Sequence, residues 1–257
     1  MSMRARALSN AVWAASWTTG MSMYAMGRQA VRPDPALYRR HTRHWARRLA
    51  RGIGLDVDAY GTWRLDPDGV YVLMANHQSH IDIVALILAL PMVPGVLAKA
   101  ELRRVPLLGR AMKVGGHVFV ERGQRVGSVE ALKAAAQQVR AGRTVLVFPE
   151  GTRGDGHTVL PFKSGGFVLA RQAGVPIVPI GLRGTAEILP KNGQALVPGR
   201  VEVRVGTPIE ADHVRHMRRR ELVATVRSAV CRLSGLPPAE GVSPVGRPPR
   251  PRVRPAP

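Results

Sequence analysis

The chain has 257 residues, 45% of them hydrophobic, enough to bury one sizeable core with appendages and too apolar for wholesale disorder. Its formal charge of +21, from 38 Lys and Arg against 17 Asp and Glu, predicts attraction to a polyanion: nucleic acid, anionic lipid or a phosphorylated substrate. The single cysteine, Cys231, excludes an intramolecular disulfide and zinc sites built on paired cysteines, and points to a reducing compartment.

Leu8 to Met26 is apolar and rich in small residues, carries Trp13, Trp17 and Tyr24, and is flanked by Arg4, Arg6, Arg28 and Arg32. Ser9, Asn10, Ser16 and Thr18 dilute it below the ~20 predominantly apolar residues of a spanning helix. No small-x-small cleavage site precedes the Arg-rich stretch, so an interfacial helix with aromatic anchors fits better than a signal peptide. Beyond Pro33 and Pro35 a second helix is expected from Ala36 to Arg51, with Arg39, Arg40, Arg43, Arg47, Arg48 and Arg51 recurring mostly at spacings of three and four. Such a face is either solvated on a packed helix or held against anionic headgroups, where each cation contributes about 1 kcal/mol. Two such helices in succession favour the headgroups.

The middle of the chain alternates. Val70 to Met74 reads as a strand, Ile81 to Leu90 as a helix, Gly95 to Ala98 and Val118 to Val120 as strands, and Ser128 to Arg140 as a helix. Thr144 to Phe148 reads as a buried strand, Gly165 to Ala173 as a helix, Pro176 to Leu182 and Val201 to Val205 as strands, and Glu221 to Leu233 as a helix holding Cys231 as a structural thiol. Alternation of this kind predicts an α/β fold, a mainly parallel sheet flanked by helices, preceded by a two-helix membrane-binding element. The expected organisation is residues 1–54 for that element, 55–235 for the α/β domain, and 236–257 for a disordered tail rich in Pro and Arg.

Three stretches carry chemistry. In Asn76-His77-Gln78-Ser79-His80-Ile81-Asp82, five residues of unbroken helix would set His77 and Asp82 ~140° apart. They meet only if His77 lies in the turn before the helix and Asp82 in its first turn, which the strand ending near Met74 allows. Ser79 with Asp82 three residues on also reads as a capping box, a role that leaves His77 unexplained. A metal site on His77, His80 and Asp82 lacks any second cluster of ligands, so no metal is expected. Phe148-Pro149-Glu150-Gly151-Thr152-Arg153 follows a buried strand, at the end where open α/β sheets bind ligands. Gly116-His117-Val118-Phe119-Val120-Glu121-Arg122 delivers Arg122 to a strand end, and an arginine fork suits phosphate.

Taken together and in order, with Val175-Pro176-Ile177-Val178-Pro179-Ile180 as a fourth block, these motifs resemble the glycerophosphate acyltransferase family, in particular bacterial 1-acyl-glycerol-3-phosphate acyltransferases of the PlsC type. The resemblance covers about Val70 to Ile209. Two positions depart from the family pattern: Gly154 stands where Ser usually follows the Phe148–Arg153 motif, and Glu121 where Asp is more common.

The resemblance implies an acyltransferase that moves a fatty acyl group from a thioester, acyl-CoA or acyl carrier protein, to the free hydroxyl of 1-acyl-glycerol-3-phosphate, giving phosphatidic acid for phospholipid synthesis. It assigns His77 as general base and Asp82 as its orienting partner. Arg122 and Arg153 would grip the acceptor phosphate, and Glu150, Gly151 and Thr152 would shape the glycerol site, with Asn76, Ser79 and Lys99 as further substrate contacts. No cofactor is implied beyond the thioester co-substrate, and no Ser or Cys nucleophile stands ready, so direct transfer is expected. The expected location is the cytoplasmic face of the membrane, peripheral or monotopic, with anionic lipid as partner and no nucleic acid. Two alternatives stand beside this reading: an acyltransferase for another lyso-lipid, such as lyso-ornithine lipid or a lysophospholipid, and a basic nucleic-acid-binding protein, which lacks the expected aromatic strands or zinc spacing.

Overall fold

A computed structural model describes residues 3–105, 108–120, 125–193 and 196–240 of the chain. It opens with two helices, α1 (Met3–Val31) and α2 (Pro35–Ile53), joined by a turn that the sequence locks locally. Asp34 caps α2 by accepting from Ala36 N (2.9 Å) and Leu37 N (3.1 Å), Pro35 takes the first helical position, and Gly54 ends the helix at φ 71°. Gln29, fully buried, clamps the turn by accepting from Asp34 N (2.8 Å) and donating to Asp34 O (3.2 Å). The two helices are stitched by Trp17 Nε1 donating to Trp45 O (3.4 Å) and Trp45 Nε1 to Thr18 Oγ1 (3.2 Å).

Seven strands follow: β1 (Leu55–Tyr60), β2 (Val72–Ala75), β3 (Gly95–Lys99), β4 (Val118–Val120), β5 (Val145–Val147), β6 (Ile177–Arg183) and β7 (Gly199–Val205). They form one sheet in the order β1-β7-β6-β2-β5-β3-β4, parallel at every step except β6 against β7. The mainly parallel α/β fold is therefore as expected. β1 is an addition to the expected strands; its Leu55-Asp56-Val57-Asp58-Ala59 alternates apolar and polar residues, with charge on an edge strand.

Period-two alternation assigns the strand residues to two faces. Leu73, Ala75, Leu146, Val178, Ile180 and Leu182 join one core, covered by α2 and by α3 (Ile81–Ala89). Val72, Met74, Val145, Val147 and Ile177 join the other, covered by α5 (Arg125–Arg140), α6 (Gly165–Ala173) and α9 (Arg219–Ser234). Short helices α4 (Leu108–Val114), α7 (Thr185–Ile188) and α8 (Ala211–His216) complete the layers.

Ala46, Leu49, Ala50 and Ile53 of α2 are buried in the first core, so α2 packs against the sheet through this face. Arg43, expected in a headgroup-facing stripe, turns inward and donates to the carbonyls of Ile87 (3.3 Å), Leu90 (2.9 Å) and Pro91 (2.6 Å), satisfying the open end of α3. At the other terminus, the tail expected to be disordered from residue 236 begins as paired chain: Val159 N donates to Pro237 O (2.9 Å) and Ala239 N to Val159 O (3.0 Å). Residues 241–257 of that tail lie outside the described residues.

Candidate active site

β2 and β5 are parallel neighbours, so the loops that leave their C-terminal ends converge. The first loop carries His77 and the second Glu150. Asn76 fixes the end of β2: its amide donates to Leu182 O (2.9 Å) and accepts from Leu182 N (2.8 Å), both fully buried on β6. The chain then turns through Gln78 and Ser79 into α3, placing Asp82 in the first helical turn as expected.

Asp82 is fully buried, and one oxygen, Oδ2, takes three donors: His77 Nδ1 at 2.7 Å, Gln78 N at 2.8 Å and Ser79 N at 3.0 Å. Oδ1 has no hydrogen-bond partner. The capping and the histidine-orienting readings of Asp82 therefore hold together in one carboxylate. Because a carboxylate only accepts, Nδ1 carries a proton, so in the neutral ring it is Nε2 that has the lone pair. The His77 side chain is 17% exposed, and its ring stacks on Phe148 with centroids 4.0 Å apart and planes 17° off parallel. A neutral imidazole of fixed tautomer, held on a rigid dyad, can take a proton from a bound hydroxyl.

Glu150 is 2% exposed and accepts from His77 N (2.6 Å) through Oε1 and from Leu160 N (2.8 Å) through Oε2. Burial pushes its carboxyl up to about 7, against the pull of those two N–H donors and with the Asp82 charge adding to the rise. The loop closes on His77 a second time, where Gly154 N donates to His77 O at 2.7 Å. Gly151 sits at φ 70°, with Lys163 crossing the space a Cβ would need.

The dyad is assembled as the motif spacing predicted, but the other assignments divide. Asn76 and Ser79 are fully buried and occupied with backbone, Ser79 Oγ donating to Leu189 O (2.7 Å) and accepting from Ile81 N (3.2 Å). Both side chains hold the loop to β6 and to the segment at Leu189. Glu150 is likewise taken up by backbone, holding His77 N and Leu160 N. Thr152 is exposed and Arg153 half-buried, beside His80, whose pKa is lowered first by burial and next by the Arg153 charge. Arg122 lies outside the described residues, as does the side chain of Lys99. Lys163, which belongs to none of the motifs, reaches this loop from ten residues beyond Arg153; its exposed position before α6 carries no local signal. Among the described residues no group of His, Cys, Asp and Glu could hold a metal ion.

The Gly154 departure has a local cause. A Cβ there would run into Gln78, whose side chain donates to Thr158 O (3.1 Å) and accepts from Gly156 N (2.9 Å). Gly154→Ser is expected to break those bonds and cost about 1–3 kcal/mol, measurable as a lower midpoint in denaturant at unchanged slope.

An apolar cavity of about 310 Å³ runs between α1, α2 and α3, lined by Trp45, Ile83, Leu86, Ile87, Val96 and Leu146 among others. Ile83 is the residue after Asp82. On the outside of α1, Leu8, Val12, Met23 and Val31 are 60–84% exposed. No described helix is long and apolar enough to cross a membrane.

Residues 56–183, which hold both site loops, match the model of the family described as Acyltransferase. The chain belongs to this acyltransferase family. Among its relatives is the 1-acyl-sn-glycerol-3-phosphate acyltransferase of Saccharomyces cerevisiae, 36% identical over 165 residues, 63% of this chain and 54% of that protein. The 1-acyl-sn-glycerol-3-phosphate acyltransferase alpha of Ovis aries is 34% identical over 176 residues, 63% of this chain and 61% of that one. The chain thus spans a little over half of the length of the curated relatives it matches. Over nearly the whole chain, the acyltransferase fold also matches the crystal structure of the 1-acyl-sn-glycerophosphate acyltransferase PlsC of Thermotoga maritima. That likeness has a TM-score of 0.77 at 26% identity and covers 91% of this chain and 97% of that one.

Proposed function

We propose that this protein transfers a fatty acyl group from a thioester to the free hydroxyl of 1-acyl-glycerol-3-phosphate at a membrane surface. The observation that carries the reading is the His77–Asp82 bond of 2.7 Å, which leaves Nε2 as a base at the mouth of the converging loops. As the hydroxyl oxygen attacks the thioester carbon, Nε2 takes its proton, and Asp82 stabilises the imidazolium that forms. The C–O bond forms, the C–S bond breaks, and the proton passes from Nε2 to the leaving sulfur. Cys231, the sole thiol, sits on α9 with its pKa raised by burial, so the acceptor hydroxyl itself serves as the nucleophile. Arg153 and Lys163 supply positive charge for the acceptor phosphate, together with Arg122, and the apolar cavity beside Ile83 receives the acyl chain. The names of the relatives support lysophosphatidate as acceptor. The deciding measurement is turnover by purified protein on lysophosphatidate and on other lyso-lipids, with acyl-CoA and acyl carrier protein donors. Equal turnover of lyso-lipids without a phosphate monoester would sink the acceptor assignment.

The exposed apolar face of α1 and the basic residues of α2 suit insertion at an anionic headgroup layer. Paired substitution Val12→Asp and Met23→Asp is expected to reduce binding to anionic vesicles by more than tenfold, since each buried apolar side chain contributes about 1.5–3 kcal/mol. Co-sedimentation with vesicles of mixed anionic and zwitterionic lipid reads the effect. Unchanged binding would place the membrane contact elsewhere.

A further inference from the structure

The cavity between α1, α2 and α3 is apolar along most of its wall, but one end carries polar side chains. Tyr38, His41 and Thr42 lie three and four residues apart on α2 and line it together, opposite His117. Val96 N donates to His117 Nδ1 at 3.3 Å, so that nitrogen carries no proton. Burial holds the ring down at about 4, so it is neutral and its proton sits on Nε2, which donates to the Tyr38 hydroxyl at 3.0 Å. The Tyr38 oxygen is thus an acceptor in that bond, and its own O–H remains to be directed to Thr42 or into the cavity. Thr42 spends its hydroxyl proton on Tyr38 O at 2.9 Å. Beside them, His41 Nδ1 is buried and has no hydrogen-bond partner, its ring lying 5.2 Å from that of Tyr24. An unmet polar atom of this kind is unfavourable until something polar reaches it.

This end lies far from the dyad. His117 bonds Val96, which pairs with Leu146 of β5, which pairs in turn with Leu73. Leu73 precedes His77 by four residues, roughly 13 Å of extended chain. An oxygen next to the thioester carbonyl would not reach it, whereas one well down the chain would.

We propose that this cavity selects fatty acyl chains bearing a hydroxyl in their distal half, with Tyr38 and His41 as the recognising pair. A hydroxyl both donates and accepts, so it can take the Tyr38 proton and meet His41 Nδ1 at once. An unsubstituted chain leaves His41 Nδ1 unmet, while the Tyr38 O–H falls back on Thr42. The inference rests on the acyl-transfer reading above and deepens it by naming the class of acyl donor.

The test gives the full chain two CoA donors of equal carbon number, stearoyl and a hydroxystearoyl with its hydroxyl beyond mid-chain, with lysophosphatidate as acceptor. The readout is the ratio of kcat/KM between the two donors within one preparation, which cancels general damage to a variant. Wild type is expected to favour the hydroxylated donor about tenfold, equivalent to about 1.4 kcal/mol. His41→Leu is expected to bring the ratio below one, because the hydroxyl then enters a wall that cannot pair it. Should His41→Leu not fold, Tyr38→Phe takes its place, with loss of the preference expected. A wild-type ratio at or below one overturns the inference, since water then satisfies His41, and so does a preference that survives in the variants. Turnover of stearoyl without preference defeats this inference alone; no turnover of either donor defeats the acyl-transfer reading with it.

Discussion

Replacing His77 by alanine is expected to lower kcat/KM by ~10²–10⁴ while leaving the chain folded. The fold should tolerate the change because Asp82 keeps two of its three donors, Gln78 N and Ser79 N, and Phe148 loses only a stacking partner. Asp82→Asn makes the sharper test. All three donors converge on Oδ2, while Oδ1 has none, so an asparagine oxygen in the Oδ2 position can accept the same bonds. Geometry survives; the negative charge that stabilises the imidazolium does not. The expected loss in kcat is on the order of 10³-fold, with little change in the unfolding midpoint. Since base and orienting carboxylate act as a unit, the double variant should be no worse than His77→Ala alone. Asp82→Ala differs again, orphaning three donors at once, and should lower stability as well as rate. Rates measured alongside circular dichroism separate these outcomes. Substantial turnover in His77→Ala would remove the assigned base.

Glu150→Gln is expected to damage both stability and rate, because Glu150 is buried and holds the His77 backbone. Both of its oxygens accept a backbone N–H, from His77 and from Leu160. Glutamine must turn its amide nitrogen toward one of them, setting donor against donor, at a cost of about 1–3 kcal/mol. For a domain of this size that lowers Tm by roughly 2–10 °C. His77 is then less well held, so kcat should fall more than KM rises. The pH dependence has a definite sign. Glu150 is raised from 4.5 to about 7, so between those values the folded chain retains a proton that the unfolded chain has lost. This group's contribution to wild-type stability is therefore greatest below about pH 4.5, falls as pH rises through that window, and levels off above about pH 7. Glutamine does not titrate, so the stability gap between wild type and Glu150→Gln should narrow as pH rises. Thermal unfolding at about pH 5 and about pH 8 reads it; a gap that widens would mean that the N–H donors, and not burial, dominate the carboxylate.

The sequence by itself determined much of this protein. The strand-and-helix alternation placed the α/β class and most of the core strands, because period two and period 3.6 are written in neighbouring residues. The five-residue spacing of His77 and Asp82 forced a turn between them, and the turn is there. Pro33 and Pro35 announced the start of α2 in the same local way.

Tertiary structure decided the rest. Whether Asn76 meets substrate or β6 depends on Leu182, 106 residues on, and whether Glu150 meets glycerol or the His77 backbone depends on β5 lying beside β2. Arg43 reads as one cation in a stripe until α3 ends against it. The cavity, with its unpartnered His41, exists only because α1 and α2 pack across α3. Each of these turns on which group satisfies a buried donor or acceptor, and such partners are chosen by strand order and helix packing. Local spacing reaches only a turn or so along the chain, so it could name the dyad but not the scaffold that holds it.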